Sequence, residues 1–158
     1  MPSKGTATAR FDTKRLPTSP DALAPDGMDV RLLLGLRRGG MAHFQLAAGQ
    51  TTRAVKHRKV EEIWLFLGGR GRMWRKQGRR EKVVAVKPGV CVTLPVGTVF
   101  QLRAEADEPL SAIGVTMPPW PGPPTDGAAV AMALASMAEP SVGNVWVDSE
   151  QVVRVCWP

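Results

Sequence analysis

Residues 49–69 read GQTTRAVKHRKVEEIWLFLGG, and residues 89–104 read GVCVTLPVGTVFQLRA. In the first stretch Glu62, Trp64 and Phe66 fall on one face of a predicted strand, and the residues that alternate with them are apolar. The glycines that bound each stretch are typical of places where the chain turns with little steric room. A glutamate that shares a face with Trp and Phe costs free energy unless it is paired, coordinated or protonated. Glu62 is therefore a candidate functional residue.

Short strand-like runs extend this pattern in both directions along the chain. They recur every 8–12 residues and are separated by turn signals such as RRGG, AGQ, QGRR, KPG and PVG. The predicted strands cover residues 29–36, 41–48, 53–57, 62–67, 70–76, 82–86, 90–94, 98–103 and 110–117. Since no helical period is sustained before residue 125, the sequence predicts an all-β sandwich or barrel.

The two ends of the chain have a different character. Residues 1–27 are polar and rich in proline, and we interpret them as an N-terminal arm. Residues 118–127 contain five prolines and are expected to leave the barrel as a loop, with Trp120 plugging a barrel end or covering a pocket. A short helix over residues 128–137, with an edge-covering strand as the alternative, and a strand over residues 144–155 complete the prediction.

The spacing of the first stretch resembles the first signature of the cupin superfamily. That signature is Gly, five residues, His-x-His, three or four residues, Glu, six residues and Gly. Gly49, His57, Glu62 and Gly69 stand at the matching positions of this chain. Val55 stands where the first histidine belongs.

The second stretch is similar to the second cupin signature, which is Gly, five residues, Pro-x-Gly, two residues, His, three residues and Asn. Gly89, Pro95 and Gly97 match the frame. Phe100 occupies the histidine position and Ala104 the asparagine position. Two complete spacing frames separated by 19 residues are specific for a fold and much less specific for an activity.

The resemblance implies a cupin fold, which is a double-stranded β-helix or jelly-roll barrel. The barrel is expected to cover residues 28–121, with the arm of residues 1–27 before it. A C-terminal extension, residues 122–158, is expected to pack on the barrel, so the chain forms one domain overall.

The same resemblance implies a metal site that has lost two of its four ligands. Cupins bind Fe, Mn, Ni, Cu or Zn through three histidines and a glutamate, and Val55 and Phe100 cannot coordinate any of these ions. Two protein ligands fall short of the three that catalytic zinc sites normally use. We therefore expect no metal cofactor. If a metal is bound, the candidate ligands are His57, Glu62 and His43, and a cysteine or a substrate atom could supply a further donor.

The leading functional hypothesis is that the barrel interior binds a small organic ligand, and an inward-pointing Arg53 would favour an anionic one. The residues expected to line the pocket are Arg53, Val55, His57, Glu62, Trp64 and Phe100. One alternative is a cupin enzyme of the isomerase, lyase or oxygenase type, with a residual metal site or with Glu62 as base and His57 as acid. The second alternative is a structural or interaction scaffold.

Charge and cysteine content set expectations about partners and location. Seven of the basic residues behind the net charge of +7 lie within residues 70–82, around a predicted hairpin turn. Basic side chains protect an edge hairpin against sheet-to-sheet aggregation, so nucleic acid is not expected as a partner.

With only two cysteines, Cys91 and Cys156, and no segment long enough to cross a bilayer, we expect a cytoplasmic protein without a membrane partner. Alternation suggests that Cys91 is a core thiol, and pairing through edge strands suggests a homodimer.

Overall fold

The structure, a computed structural model, describes residues 10–24, 26–57 and 59–119, together with the backbone of residues 138–140. Within these residues the chain is all-β and contains no helix, as the sequence predicts. None of this part of the chain forms a helix with the length and apolar character that a bilayer crossing requires. The strands, in chain order, are β1 (Ala22–Leu23), β2 (Asp29–Leu36), β3 (Gly39–Leu46), β4 (Val55–His57), β5 (Glu61–Gly68), β6 (Gly71–Gln77), β7 (Arg80–Val86), β8 (Cys91–Leu94), β9 (Val99–Ala104), β10 (Leu110–Met117) and β11 (Ala138–Pro140).

The strands form two antiparallel sheets. The first has six strands in the order β1-β2-β3-β10-β5-β8, and the second has five in the order β11-β4-β9-β6-β7. Strands β4 and β5 are neighbours in sequence but belong to opposite sheets, so the short link between them crosses from one layer to the other. The residues at the end of β4 and the start of β5 therefore face each other across the barrel.

The core fills the space between the sheets. Phe44, Trp64 and Phe66 enter it from the six-stranded sheet, and Phe100 and Leu102 enter it from the five-stranded sheet. The alternation predicted for β5 is confirmed, because Glu62, Trp64 and Phe66 are buried whereas the residues between them are exposed. Aromatic rings dominate this core, and such rings contribute both large buried areas and specific edge-to-face contacts.

Most predicted strands appear within two residues of their expected bounds, and those predicted over residues 29–36 and 110–117 coincide with β2 and β10. The N-terminal segment contributes a strand of its own, since β1 pairs with β2. The predicted hairpin at QGRR joins β6 to β7, and β7 is an edge strand. The predictions for Trp120 and for residues 128–137 and 144–155 lie outside the described residues.

Candidate functional site

Three strands bring the predicted site residues together between the two sheets. In the five-stranded sheet Val55 of β4 pairs directly with Phe100 of β9, and His57 lies two residues further along the same face of β4. Glu62 enters from β5 in the opposite sheet. All four side chains are buried, so the two spacing frames recognised in the sequence converge on one place.

Glu62 is fully engaged by two neighbours. His57 Nε2 lies 3.2 Å from Glu62 Oε1, and the side chain of Glu62 is only 2% exposed against 11% for that of His57. The indole Nε1–H of Trp64 donates a hydrogen bond to the other carboxylate oxygen, Oε2. Both oxygens of the buried carboxylate therefore have a partner, which explains how an apolar strand tolerates it.

Aromatic rings enclose the His57–Glu62 pair. The imidazole of His57 lies 5.7 Å from the ring of Phe100, and Trp64 meets Phe100 edge-on at 6.0 Å. Trp64 also stacks on Phe44 with a centroid distance of 4.6 Å. Because an apolar enclosure weakens the competition from water, the hydrogen bonds inside it are electrostatically stronger than they would be in solvent.

Gly114 makes room for this aromatic arrangement. It pairs with Trp64 across β10 and β5. A Cβ atom at this position would lie 2.7 Å from the ring of Phe44 and 2.9 Å from the indole nitrogen of Trp64. Glycine is therefore required here for space, and it allows the indole to reach Glu62.

Asp26 is an acidic group that the sequence analysis did not single out. It is 7% exposed, and its Oδ1 accepts a hydrogen bond from the backbone N–H of Met28 at 3.1 Å. Burial is the main reason why the pKa of Asp26 rises from 3.8 to about 6; the negative charge of Glu62 also raises it, whereas the Met28 hydrogen bond and the charge of His57 lower it. The electrostatic influence of Glu62 and His57 shows that Asp26 belongs to the surroundings of the same pair.

Two other predicted residues lie away from the pair. Arg53 is exposed, which corrects the expectation that it lines the interior, because β4 begins only at Val55 and the alternation does not extend back to residue 53. His43 is buried on the face of β3 opposite to Phe44, so it does not point into the barrel interior. Desolvation lowers the pKa of His43, as does the positive charge of Arg31.

The cysteine prediction also needs correction. Cys91 is exposed, not buried in the core. It is the first residue of β8, whose alternate residues Val92 and Leu94 are buried. Alternation had indicated correctly that one set of β8 residues is buried, but the thiol belongs to the other set.

The residues present do not fit the transition metal that cupins of complete signature hold. Val55 and Phe100 offer no donor atom, and the ring of Phe100 fills space beside the imidazole of His57. Glu62 is already bonded through both oxygens. Among the described residues no three His, Cys, Asp or Glu side chains lie close enough together to hold an ion. His43, on the outer face of its sheet, cannot complete the set.

Solved structures show the same fold at low sequence identity. BH2720 from Bacillus halodurans matches 72% of this chain and 84% of its own, with 19% identity and a TM-score of 0.54. An uncharacterised conserved protein with a double-stranded β-helix domain from Klebsiella pneumoniae matches 58% of this chain and 76% of its own, with 18% identity and a TM-score of 0.50. No protein-family model matches the sequence, and the comparison with curated proteins gave no match.

Oxalate decarboxylase from Bacillus subtilis, for which Mn(II) centres are described, is also similar. The match covers 60% of this chain but only 27% of that enzyme, with 15% identity and a TM-score of 0.54. CapF from Staphylococcus aureus, a capsular polysaccharide assembling protein, matches over 66% of this chain and 31% of its own at 16% identity, with a TM-score of 0.52. These similarities establish the double-stranded β-helix fold.

Proposed function

We propose, starting from the cupin fold that this chain adopts, that it binds a small organic acid at the mouth of the barrel and uses no transition metal to do so. The observation that carries the proposal is the buried contact of 3.2 Å between His57 Nε2 and Glu62 Oε1. An imidazole–carboxylate pair inside an aromatic enclosure is the kind of convergent polar group that fixes a ligand in an otherwise apolar pocket.

The two partners of this pair differ in accessibility. The His57 side chain retains 11% of its exposure, whereas Glu62 retains 2%. A ligand that enters from the mouth would meet the imidazole first, and the carboxylate beneath it would hold the ring in one orientation. A fixed ring loses little conformational freedom on binding, which favours affinity.

The test uses the fact that the chain contains only two histidines. Imidazole resonances are recorded by NMR while malonate, succinate or citrate is added to the intact protein. We expect the resonance of His57 to shift and saturate, whereas that of His43, on the outer face of its sheet, stays in place. The variants His57→Gln and His43→Gln assign the two signals. The absence of a saturable shift at His57 across the panel would contradict the proposal.

An acid–base enzyme is the second candidate, and the raised pKa of Asp26 favours it. The Asp26 carboxyl group, with a pKa of about 6, is influenced electrostatically by His57 and Glu62, so a further acidic group stands in the surroundings of the pair. Proton transfer is most efficient when the pKa of the catalytic group is near the working pH. Isomerisation or lyase-type proton abstraction, with Glu62 as base and His57 as acid, would suit such a site.

Hydrogen exchange tests this second candidate directly. Organic acids are incubated with the protein in deuterated water, and NMR follows the exchange of their α-protons. We expect exchange that is catalysed by the wild type and lost in Glu62→Gln. Equal exchange with the wild type and the variant would rule out this role for Glu62.

We further propose that the chain forms a homodimer through the outer face of its six-stranded sheet. On β5 the side chains of Ile63, Leu65 and Leu67 are 43%, 41% and 49% exposed, and Val115 of β10 pairs beside Ile63. Contiguous apolar surface of this kind marks interaction sites. A second copy is the occupant that we favour, because two chains of charge +7 repel each other least where they meet through uncharged, apolar side chains.

We also propose a cytoplasmic location. The chain has only two cysteines, and Cys91 is exposed and forms no disulfide within the part of the chain that the structure describes. Disulfides form and persist in oxidising compartments and are rare in the cytosol, where thiols are kept reduced. Cell fractionation tests the location.

A further inference from the structure

A cationic cleft opens where the edges of the two sheets meet, outside the His57–Glu62 pair. Strand β7 is the edge of one sheet and β8 is the edge of the other. The cleft has a volume of about 130 Å³, and its lining residues are Arg75, Gln77, Arg80, Lys82, Thr93, Pro95 and Thr98. Three of these are cationic and none is a carboxylate, as far as the described part of the chain extends.

The cations of the cleft are placed against one another by the strand register. Arg75 of β6 pairs directly with Lys82 of β7, and Arg80 lies two residues before Lys82 on the same strand. Like charges directly opposite each other on neighbouring strands destabilise a sheet. The arrangement becomes favourable when an anion lies between them.

Two polar atoms in the lining have no hydrogen-bond partner among the described residues. They are Nε of Arg75 and Oγ1 of Thr98, and both are buried. Thr98 as a whole is only 4% exposed. The Nη1 atom of Arg75 donates a hydrogen bond to the backbone carbonyl of Thr93 at 2.9 Å, which anchors the guanidinium through a nitrogen other than Nε. Buried donors without partners are rare in native proteins and point to a group that is bound there in function.

We propose that this cleft binds the oxyanion group, carboxylate or phosphate, of a small ligand, with Arg75, Lys82 and Thr98 as its contacts. A guanidinium presents donors in a planar fork that matches the geometry of both groups. Burial lowers the pKa of Arg75, and so does the positive charge of Arg80 beside it. The volume lies well below the ~300–1,000 Å³ of pockets for drug-sized ligands, so one small anionic group suits it.

The cleft adjoins the site described above. Arg75 pairs with Phe100 across β6 and β9, and Phe100 in turn contacts the ring of His57. An anion held by Arg75 therefore lies on the other side of the Phe100 wall. The idea that the rest of the same molecule reaches His57 depends on the proposed function, whereas the binding of a simple oxyanion does not.

Calorimetric titration of the intact protein with inorganic phosphate and, separately, with malonate tests the cleft. Arg75→Gln should weaken binding of the preferred anion about tenfold or more, and Thr98→Val several-fold, because charge-assisted hydrogen bonds are the strong ones. The matched control is Arg72→Gln, which removes the same charge from the exposed outer face of the same strand. The control should change affinity less than about twofold, since an exposed charge acts only through a screened field. Thermal melting confirms that each variant is folded.

Preference for phosphate would identify a phosphorylated ligand and preference for malonate an organic acid; each result supports an oxyanion site. Failure of both anions to bind, or an equal loss of affinity in Arg72→Gln and Arg75→Gln, would overturn it. A single-stranded DNA oligonucleotide that binds more tightly than either anion and is weakened equally by both variants would also overturn it. His57→Gln should leave phosphate binding at the cleft unchanged. A His57 resonance that does not shift when organic acids are added therefore refutes the proposed function without affecting the test of the cleft.

Discussion

Protonation of Asp26 should make the stability of the barrel depend on pH. Its side chain is buried, and the loss of hydration, reinforced by the charge of Glu62, raises its pKa from 3.8 to about 6. The folded chain therefore holds a proton on Asp26 at pH values at which the unfolded chain has already released it. A group of this kind stabilises the folded state most at low pH, and that contribution is lost as the pH rises from the unfolded to the folded pKa.

The size of the effect follows from the shift. A change of about two pKa units corresponds to about 3 kcal/mol, at ~1.4 kcal/mol for each unit. Against the ~5–15 kcal/mol of typical domain stability this is a large fraction. The loss should extend over the window between about pH 4 and pH 6 and reach its full value above it.

Asp26→Asn isolates this contribution. The amide oxygen can still accept the hydrogen bond from Met28 N–H, while the ionisable group disappears. Near pH 4 the variant and the wild type should be equally stable, and near neutral pH the variant should be more stable by ~2–3 kcal/mol. Urea unfolding at a series of pH values, followed by tryptophan fluorescence, measures the difference. The control Asp12→Asn removes an exposed carboxylate, and its difference from the wild type should stay small across the range. If Asp26→Asn instead proves less stable near neutral pH, or differs by a constant amount at every pH, the reasoning is refuted.

Three further predictions concern the core, the dimer and the metal. Gly114→Ala should destabilise the fold by ~1–3 kcal/mol and shift the fluorescence of Trp64, because the new methyl group overlaps the indole; unchanged unfolding curves would contradict this. Leu65→Lys should convert a dimer into a monomer in light scattering without unfolding it, and a wild type that is already monomeric at micromolar concentration would disprove the interface. Wild-type protein should hold only background metal in elemental analysis. The double variant Val55→His, Phe100→His should retain about one Mn or Zn per chain, because it supplies three imidazoles and a carboxylate. Stoichiometric metal in the wild type would refute the depleted site.

The fold could be predicted from the sequence because turn residues and strand alternation are local signals. The two spacing frames carry further information. The first places His57 and Glu62 inside the barrel, and the second independently places Phe100 in the same cavity. Alternation identifies which residues share a face but gives their direction only when one set is clearly apolar. This condition holds for the strand of Trp64, and in β8 the thiol of Cys91 was assigned to the wrong face although Val92 and Leu94 indicate the correct one.

Burial of residues outside the strands could not be predicted in the same way. Asp26 lies in a turn before β2, within the polar segment interpreted as an arm, and it is buried because Ala24 and Met28 on either side join the core. Its sequence context, an Asp-Gly pair just before a strand, indicates a turn but says nothing about what packs over it. Arg53 illustrates the converse, because a pattern valid inside a strand was extended beyond its first residue. Both errors arise where long-range packing, and not the local period, sets the exposure of a side chain.

The apolar residues at positions 55 and 100, where the cupin signatures have histidines, have a physical logic of their own. Val55 and Phe100 pair directly across two strands and face the interior, where two imidazoles without a metal would leave buried polar atoms in need of partners. Valine and phenylalanine have no such need, and they add to the apolar enclosure around the His57–Glu62 pair. The polar atoms of His57 and Glu62 do have partners. His57 Nε2 contacts one oxygen of the Glu62 carboxylate, and the indole N–H of Trp64 donates a hydrogen bond to the other oxygen. If the proposed function is correct, recognition at this site depends on the imidazole of His57, which contacts the carboxylate of Glu62, and on the cations beyond Phe100. Of these two features, the cations favour a ligand that carries negative charge, whereas the His57–Glu62 pair offers a hydrogen-bonding contact.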